Sequence, residues 1–175
     1  MLIKKIFRLV FVFILLNSLV GYAQIRSVII GIDGLHCSAC SFGTEKSIRK
    51  LDFVKNVKMD LNKHLAEIEF KGDKEISLEA ITKQVIDAGF SVRNMFVQFD
   101  FLNPTPIKEN LCYEGNNLIF NFTSVKEQTL DKTTTLQVLG EQFMSKSEFK
   151  KWKLLLKSSC NSTVPSSKKV YHVTI

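Results

Sequence analysis

Two cysteines three residues apart, Cys37 and Cys40, are the residues of this chain best suited to chemistry. They sit in Gly34-Leu35-His36-Cys37-Ser38-Ala39-Cys40, where an alternating apolar pattern gives way to a helical one. Sulfur at a helix N-terminus meets unpaired backbone N–H groups and the positive end of the dipole, which favours thiolate over thiol. Two converging thiolates form a compact, soft, anionic site suited to Cu(I), Hg(II), Cd(II) or Zn(II). The same pair could instead cycle between dithiol and disulfide, and the spacing alone leaves both chemistries open. His36 adjoins the first cysteine and is a candidate third ligand or proton relay, although an exposed loop side chain is its simpler role.

The flanking segments must position this loop. Before it, Val28, Ile30 and Ile32 alternate with Ser27, Ile29 and Gly31, the period of a strand. After it, Thr44, Ile48 and Leu51 recur at helical spacing. Val57, Met59 and Leu61 alternate, then Ala66, Ile68 and Phe70 after the polar turn Asn62-Lys63, which predicts a hairpin. Ser77 is placed to cap a second helix with Leu78, Ile81 and Val85 on one face and Gly89 as its stop. Phe90, Val92 and Met95 to Val97 supply a last strand. The predicted order is β-α-β-β-α-β, a split βαβ with the cysteine loop after its first strand.

With that order and motif, residues 26–97 resemble the heavy-metal-associated domain family. Its members include copper chaperones, metal-binding repeats of P-type ATPases and the periplasmic mercury-binding protein. The resemblance rests on Gly34-x-His36-Cys37-x-x-Cys40, on Val57 to Leu61, and on Asp87-Ala88-Gly89-Phe90. It implies a ferredoxin-like fold, Cys37 and Cys40 as metal ligands, and Phe90 on a loop packed beside them. The chain departs from the family at Leu35, where Met is usual, an apolar exchange of similar volume. It also carries Gly43 and Thr44 in the helix and Phe53-Val54 where Gly-Val is common.

Residues 1–23 read as a secretory signal peptide. Lys4, Lys5 and Arg8 precede the apolar run Leu9 to Leu16, and Gly21-Tyr22-Ala23 ends on a small residue. The run is short for a membrane span. Cleavage there predicts a periplasmic or secreted protein beginning at Gln24, without stable membrane insertion. The full chain carries 24 basic and 17 acidic residues; losing three basic ones leaves 21 minus 17, a net charge of +4. The cluster Lys146, Lys150, Lys151, Lys153 and Lys157 reads as the solvated face of a helix, and no nucleic-acid partner is expected.

Residues 98–106, with Asn103-Pro104-Thr105-Pro106, read as a linker or as an extension of the last strand, and residues 107–175 as a second unit. Leu118, Phe120 and Phe122 alternate, as do Leu136 and Val138, and Tyr171, Val173 and Ile175. Ser145-x-x-Glu148 is a capping box before an apolar face of Phe149, Trp152 and Leu156. The expectation is a small β-rich domain, a five-stranded OB-like barrel with one helix, giving an α+β protein overall. Cys112 and Cys160 are candidates for a disulfide in an oxidising compartment; free buried thiols and a second metal site are the alternatives. His64 reads as a solvated turn residue and His172 as facing away from Tyr171 and Val173. Triplets beginning at Asn121 and Asn161 match the glycosylation pattern, a short pattern that arises readily by chance, and the first lies inside a predicted strand.

No nucleophile–base arrangement, phosphate loop or paired carboxylates support an enzyme. The sequence thus points to an exported soft-metal-binding protein that carries or sequesters its ion. Cu(I) is favoured, with Hg(II) or Zn(II) as alternatives, because two thiolates suit linear coordination better than a closed tetrahedron. A protein partner for metal transfer is implied. The rival readings are an adaptor with a vestigial or sensory metal site and a thiol–disulfide exchange protein.

Overall fold

The computed structural model describes residues 24–72, 74–115, 118–156, 160 and 168–175. The signal peptide expected over 1–23 and the triplet at Asn161 lie outside these residues. Among the described residues, no helix is long and apolar enough to cross a membrane.

The alternation in the first half produces the elements it predicts. β1 (Gln24–Asp33) buries Val28, Ile30 and Ile32 completely. α1 (Ser38–Ile48) follows, then the hairpin β2 (Val54–Asp60) and β3 (Leu65–Phe70). α2 (Leu78–Asp87) begins at Ser77, whose hydroxyl accepts the Ala80 N–H at 3.2 Å, and it seats Leu78, Ile81 and Val85 in the core. Gly89, at φ +89°, turns the chain out of the helix in the left-handed region that glycine adopts at least cost. β4 (Ser91–Asp100) returns beside β1. The four strands pair in the order β2-β3-β1-β4, all antiparallel neighbours, with Ile30 facing Ala66 on one side and Met95 on the other. Leu61 lies beyond the end of β2 and is part-exposed in the turn, where the sequence had placed it in the strand.

One irregularity aims the site. The β1–β4 register shifts between Gly31 and Ile32, just before the cysteine loop. A bulge there bends the strand as it leaves the sheet. A Cβ on Gly31 would lie 2.4 Å from Asn94 Oδ1 and 3.1 Å from the Arg93 guanidinium, so any side chain there would have to displace these two.

The second half departs from the expected barrel. Its strands are β5 (Thr105–Ile107), β6 (Cys112–Glu114), β7 (Leu118–Phe122), β8 (Gln128–Leu130), β9 (Thr133–Leu139) and β10 (Lys169–Thr174), with α3 (Lys146–Trp152) before the last. β9 pairs antiparallel with the free edge of β4, from Phe96 opposite Gln137 to Asp100 opposite Thr133. β10, β7 and β6 continue the row, so eight strands form one sheet in the order β2-β3-β1-β4-β9-β10-β7-β6, with β5 and β8 as a separate ribbon. The physical reason is β4 itself. Its ten residues offer two edges, and only one is needed by β1. The sheet curls without closing: Tyr113 on β6 packs edge-on against Phe101 at 4.9 Å and Phe99 at 5.8 Å, but β6 and β4 are not paired.

Residues 98–100 therefore continue β4, and Phe101 N–H still reaches Lys132 O at 2.6 Å. The helix α3 also differs from expectation. Phe149, Trp152 and Leu156 are only half-buried, and no residue of α3 is fully covered. A second junction joins α2 to β10. The Glu79 carboxylate accepts from Tyr171 Oη at 2.9 Å and Lys169 Nζ at 3.0 Å. Partial burial pushes Glu79 up, but its backbone hydrogen bond, Lys169 and Tyr171 outweigh it and hold the carboxyl below its ordinary 4.5. Burial and the facing Glu79 charge push the Tyr171 phenol far above its usual value.

Candidate metal centre

Strand direction decides what surrounds the cysteines. β1 and β2 both run antiparallel to β3, so the loop after β1 and the turn after β2 emerge at the same end of the sheet. β4 begins at that end too, since Ser91 pairs with Asp33. Three connections therefore converge: the cysteine loop, the turn at 61–64, and the α2–β4 connection with Phe90.

The loop is built from glycine and a buried leucine. Gly34 has φ +90°, and a Cβ there would lie 3.3 Å from the Phe90 ring. Leu35 is fully buried beneath the loop and fills the position where the family usually has Met. Cys37 is the N-cap of α1: its Sγ accepts the Cys40 N–H at 3.0 Å, and its carbonyl accepts from Ser41 N at 3.0 Å. Cys37 is exposed and Cys40 half-buried, with Cα atoms 5.2 Å apart, and their sulfurs are bonded as a disulfide. Thr44, completely buried, donates to Cys40 O at 3.0 Å and fixes the helix turn under the second cysteine.

His36 is exposed beside Cys37. Its ring meets that of His64 edge-on, with centroids 5.0 Å apart at 76°. His64 is the residue that the sequence reading misplaced. It is half-buried, adopts φ +51°, and its Nδ1 lies 2.7 Å from Leu35 O. A carbonyl only accepts, so Nδ1 carries the proton and donates, leaving Nε2 as the other ring nitrogen. Its own carbonyl accepts from Ile32 N at 2.9 Å. Arg93 braces the same turn, with Nη2 donating to Lys63 O at 3.0 Å and His64 O at 3.3 Å, and Nη1 3.3 Å from Asp33 Oδ1.

The other cysteine pair lies elsewhere. Cys112 is on β6, and Cys160, fully buried, precedes β10; they form a disulfide with Cα atoms 5.9 Å apart. β6 is at the far edge of the sheet, with four strands between it and β1. Among the described residues, no three His, Cys, Asp or Glu side chains are grouped to enclose an ion. When reduced, Cys37 and Cys40 would offer two sulfurs, a donor set that fits a two-coordinate soft cation.

Known proteins resemble the first half of this chain. The family model for the heavy-metal-associated domain matches residues 29–91. The periplasmic component of a mercuric transport protein from Pseudomonas fluorescens is 33% identical over 75 residues, covering 42% of this chain and 81% of that protein. The chain belongs to the heavy-metal-associated domain family. A copper-transporting ATPase from Helicobacter pylori is 34% identical over 67 residues, covering 38% of this chain. The match spans only 9% of that ATPase's length, so it concerns this domain and not the ATPase as a whole. Among solved structures, oxidized MerP from Ralstonia metallidurans CH34 is 31% identical, covering 39% of this chain and 97% of that one, with a TM-score of 0.36.

The family match runs from Ile29 in β1 to Ser91, the first residue of β4. All three connections at the cysteine end fall inside it. His64 also lies within the matched span, but no motif letter marks it. The signal that could have found it is topological: a βαββαβ order brings the β2–β3 turn to the end where the cysteine loop emerges.

Proposed function

We propose that this protein is an exported carrier or scavenger of a soft metal ion, Cu(I) foremost, held between the Sγ atoms of Cys37 and Cys40. The observation that carries the reading is the cap geometry: Cys37 Sγ receives a backbone N–H of α1 while Cys40 sits one turn along, at an exposed loop end. That placement stabilises negative charge on sulfur when the pair is reduced, and leaves it open to a partner's ligands. Kinship with the mercuric transport component and the copper-transporting ATPases supports soft-metal handling and leaves copper and mercury as the leading cargoes. His36, with His64 behind it, is the candidate auxiliary group. Passage of the ion to a protein partner proceeds by exchange of thiolates, which requires the two loops to be held together.

The test is Cu(I) competition with a chromophoric chelator under anaerobic, reducing conditions. Replacing Cys37→Ser and Cys40→Ser together removes the tight site, and an unchanged stoichiometry and affinity would sink the assignment. A second reading, thiol–disulfide exchange, draws on the bonded state of the same pair. It expects the reduced protein to reduce a model disulfide catalytically, and no such turnover is expected of a carrier.

A further inference from the structure

α3 and the turn after it are the least integrated part of the described fold, and their composition is not random. Residues 146–156 read Lys-Ser-Glu-Phe-Lys-Lys-Trp-Lys-Leu-Leu-Leu. No residue of α3 is buried, Leu154 is 80% exposed and Leu155 53%. Lys146, Lys150, Lys151 and Lys153 are all exposed around them. Lys151 pairs with Glu148, the only acid in the segment, while among the described residues Lys146, Lys150 and Lys153 form no ion pair. Apolar side chains left in water and ringed by unpaired positive charge are otherwise unexplained by the fold.

We propose that residues 146–156 seat on an anionic lipid bilayer, with Trp152, Leu154 and Leu155 entering the headgroup region and the lysines meeting lipid phosphates. Short basic amphipathic segments with Trp, Phe and Leu bind in this way, apolar area and anionic attraction adding together. Lysine stems lie along apolar surface while their ammonium groups stay at the polar level. The shape favours lipid over an acidic protein. Leucines exposed to this degree form a knob rather than a groove; a fluid bilayer yields to a knob, whereas a folded partner needs a matching pocket. The seat is also tied to the cysteine end, because Ser145, the N-cap of α3, donates its N–H to Arg93 O at 3.0 Å. The proposal stands on this segment's own exposure and charge and does not depend on the metal assignment.

Trp152 is the only tryptophan of the chain, so its emission reports on this segment alone, whatever the N-terminal residues do. Added to the full chain, phosphatidylglycerol vesicles should shift that emission to the blue and shield it from acrylamide, an effect weakened by salt. Phosphatidylcholine vesicles should do neither. Leu154→Ser with Leu155→Ser, both at exposed positions, should raise the lipid needed for half the shift about tenfold. Lys150→Glu with Lys151→Glu should abolish the preference for phosphatidylglycerol. Emission unchanged by anionic vesicles, or both double variants responding like the parent, would overturn the proposal. A response to polyglutamate without one to vesicles would assign the patch to an acidic polypeptide and equally overturn it.

Discussion

The two cysteine pairs of this molecule differ in almost everything except chemistry. Cys37 and Cys40 are three residues apart, at the exposed start of a helix, in a loop shaped by Gly34 and pinned by His64. Cys112 and Cys160 are 48 residues apart, with Cys112 half-buried on β6 and Cys160 fully buried. Closing a short loop at a helix cap restricts the unfolded chain little, whereas closing a long one restricts it greatly. Exposure and helix polarity favour reactivity in the first pair. Burial and loop length make the second a staple. The same side chain thus does opposite work according to the backbone that holds it.

Four variants would break or sharpen that contrast. The largest effect is on the ion: Cys37→Ser with Cys40→Ser eliminates tight Cu(I) binding, while Cys112→Ser with Cys160→Ser leaves it within error, both read by chelator competition. The second largest is on stability. Loss of the Cys112–Cys160 bridge costs about 4 kcal/mol in the chain-entropy model, measured by denaturant unfolding without reductant. Limited reduction followed by alkylation should label Cys37 and Cys40 before Cys112 and Cys160, and the reverse order would dissolve the contrast.

A smaller effect comes from Gly43→Ala in α1. A Cβ at Gly43 meets nothing within 4 Å, so the exchange adds helix propensity without strain and stabilises by about 0.5–1 kcal/mol. Thermal unfolding should shift upward with metal affinity unchanged. An altered affinity would mean that the cysteine loop draws on looseness in the helix it caps.

The smallest effect is a slope. Partial burial holds His172 below its ordinary 6.5, with its Nδ1 3.1 Å from Thr123 Oγ1. The unfolded chain therefore takes up a proton near pH 6.5 that the folded chain resists. His172 contributes full stability above that pH and loses it as pH falls toward the folded value. His172→Asn should flatten the stability–pH curve from 6.5 downward, checked by unfolding at a series of pH values. Glu79 has its own window, lower down: its stabilising charge is present above 4.5 and lost as pH falls through its depressed folded value.

The first half was readable because each of its strands buries one face and each helix one stripe, so periodicity and burial coincide at Val28, Ile30, Ile68, Ile81 and Val85. The second half was not, because its pairings are decided by distant partners. Nothing local in Leu136 or Val138 says that β9 joins the edge of β4, or that β10 runs parallel to β7. The alternation there is genuine, and Leu136, Val138, Phe120 and Val173 are all buried, but alternation fixes a face and not a neighbour. Phe149 and Trp152 misled in the opposite direction: a helical apolar stripe was present without a core to receive it. His64 was missed because its role comes from where a turn is carried, not from its flanking residues.

β4 has partners on both edges, and this has a consequence for the order in which the protein can be made. A chain emerging N-terminus first completes β4 at Asp100 and must lengthen by 33 residues (133 minus 100) before β9 begins. Through that interval a ten-residue strand carries a row of bare amides and carbonyls along the edge that β9 will pair. An uncovered strand edge templates pairing with any neighbouring chain. The nascent half-molecule is thus the hazardous species of its biogenesis, and whatever escorts the chain from the ribosome must shield β4 until Thr133 to Leu139 has arrived.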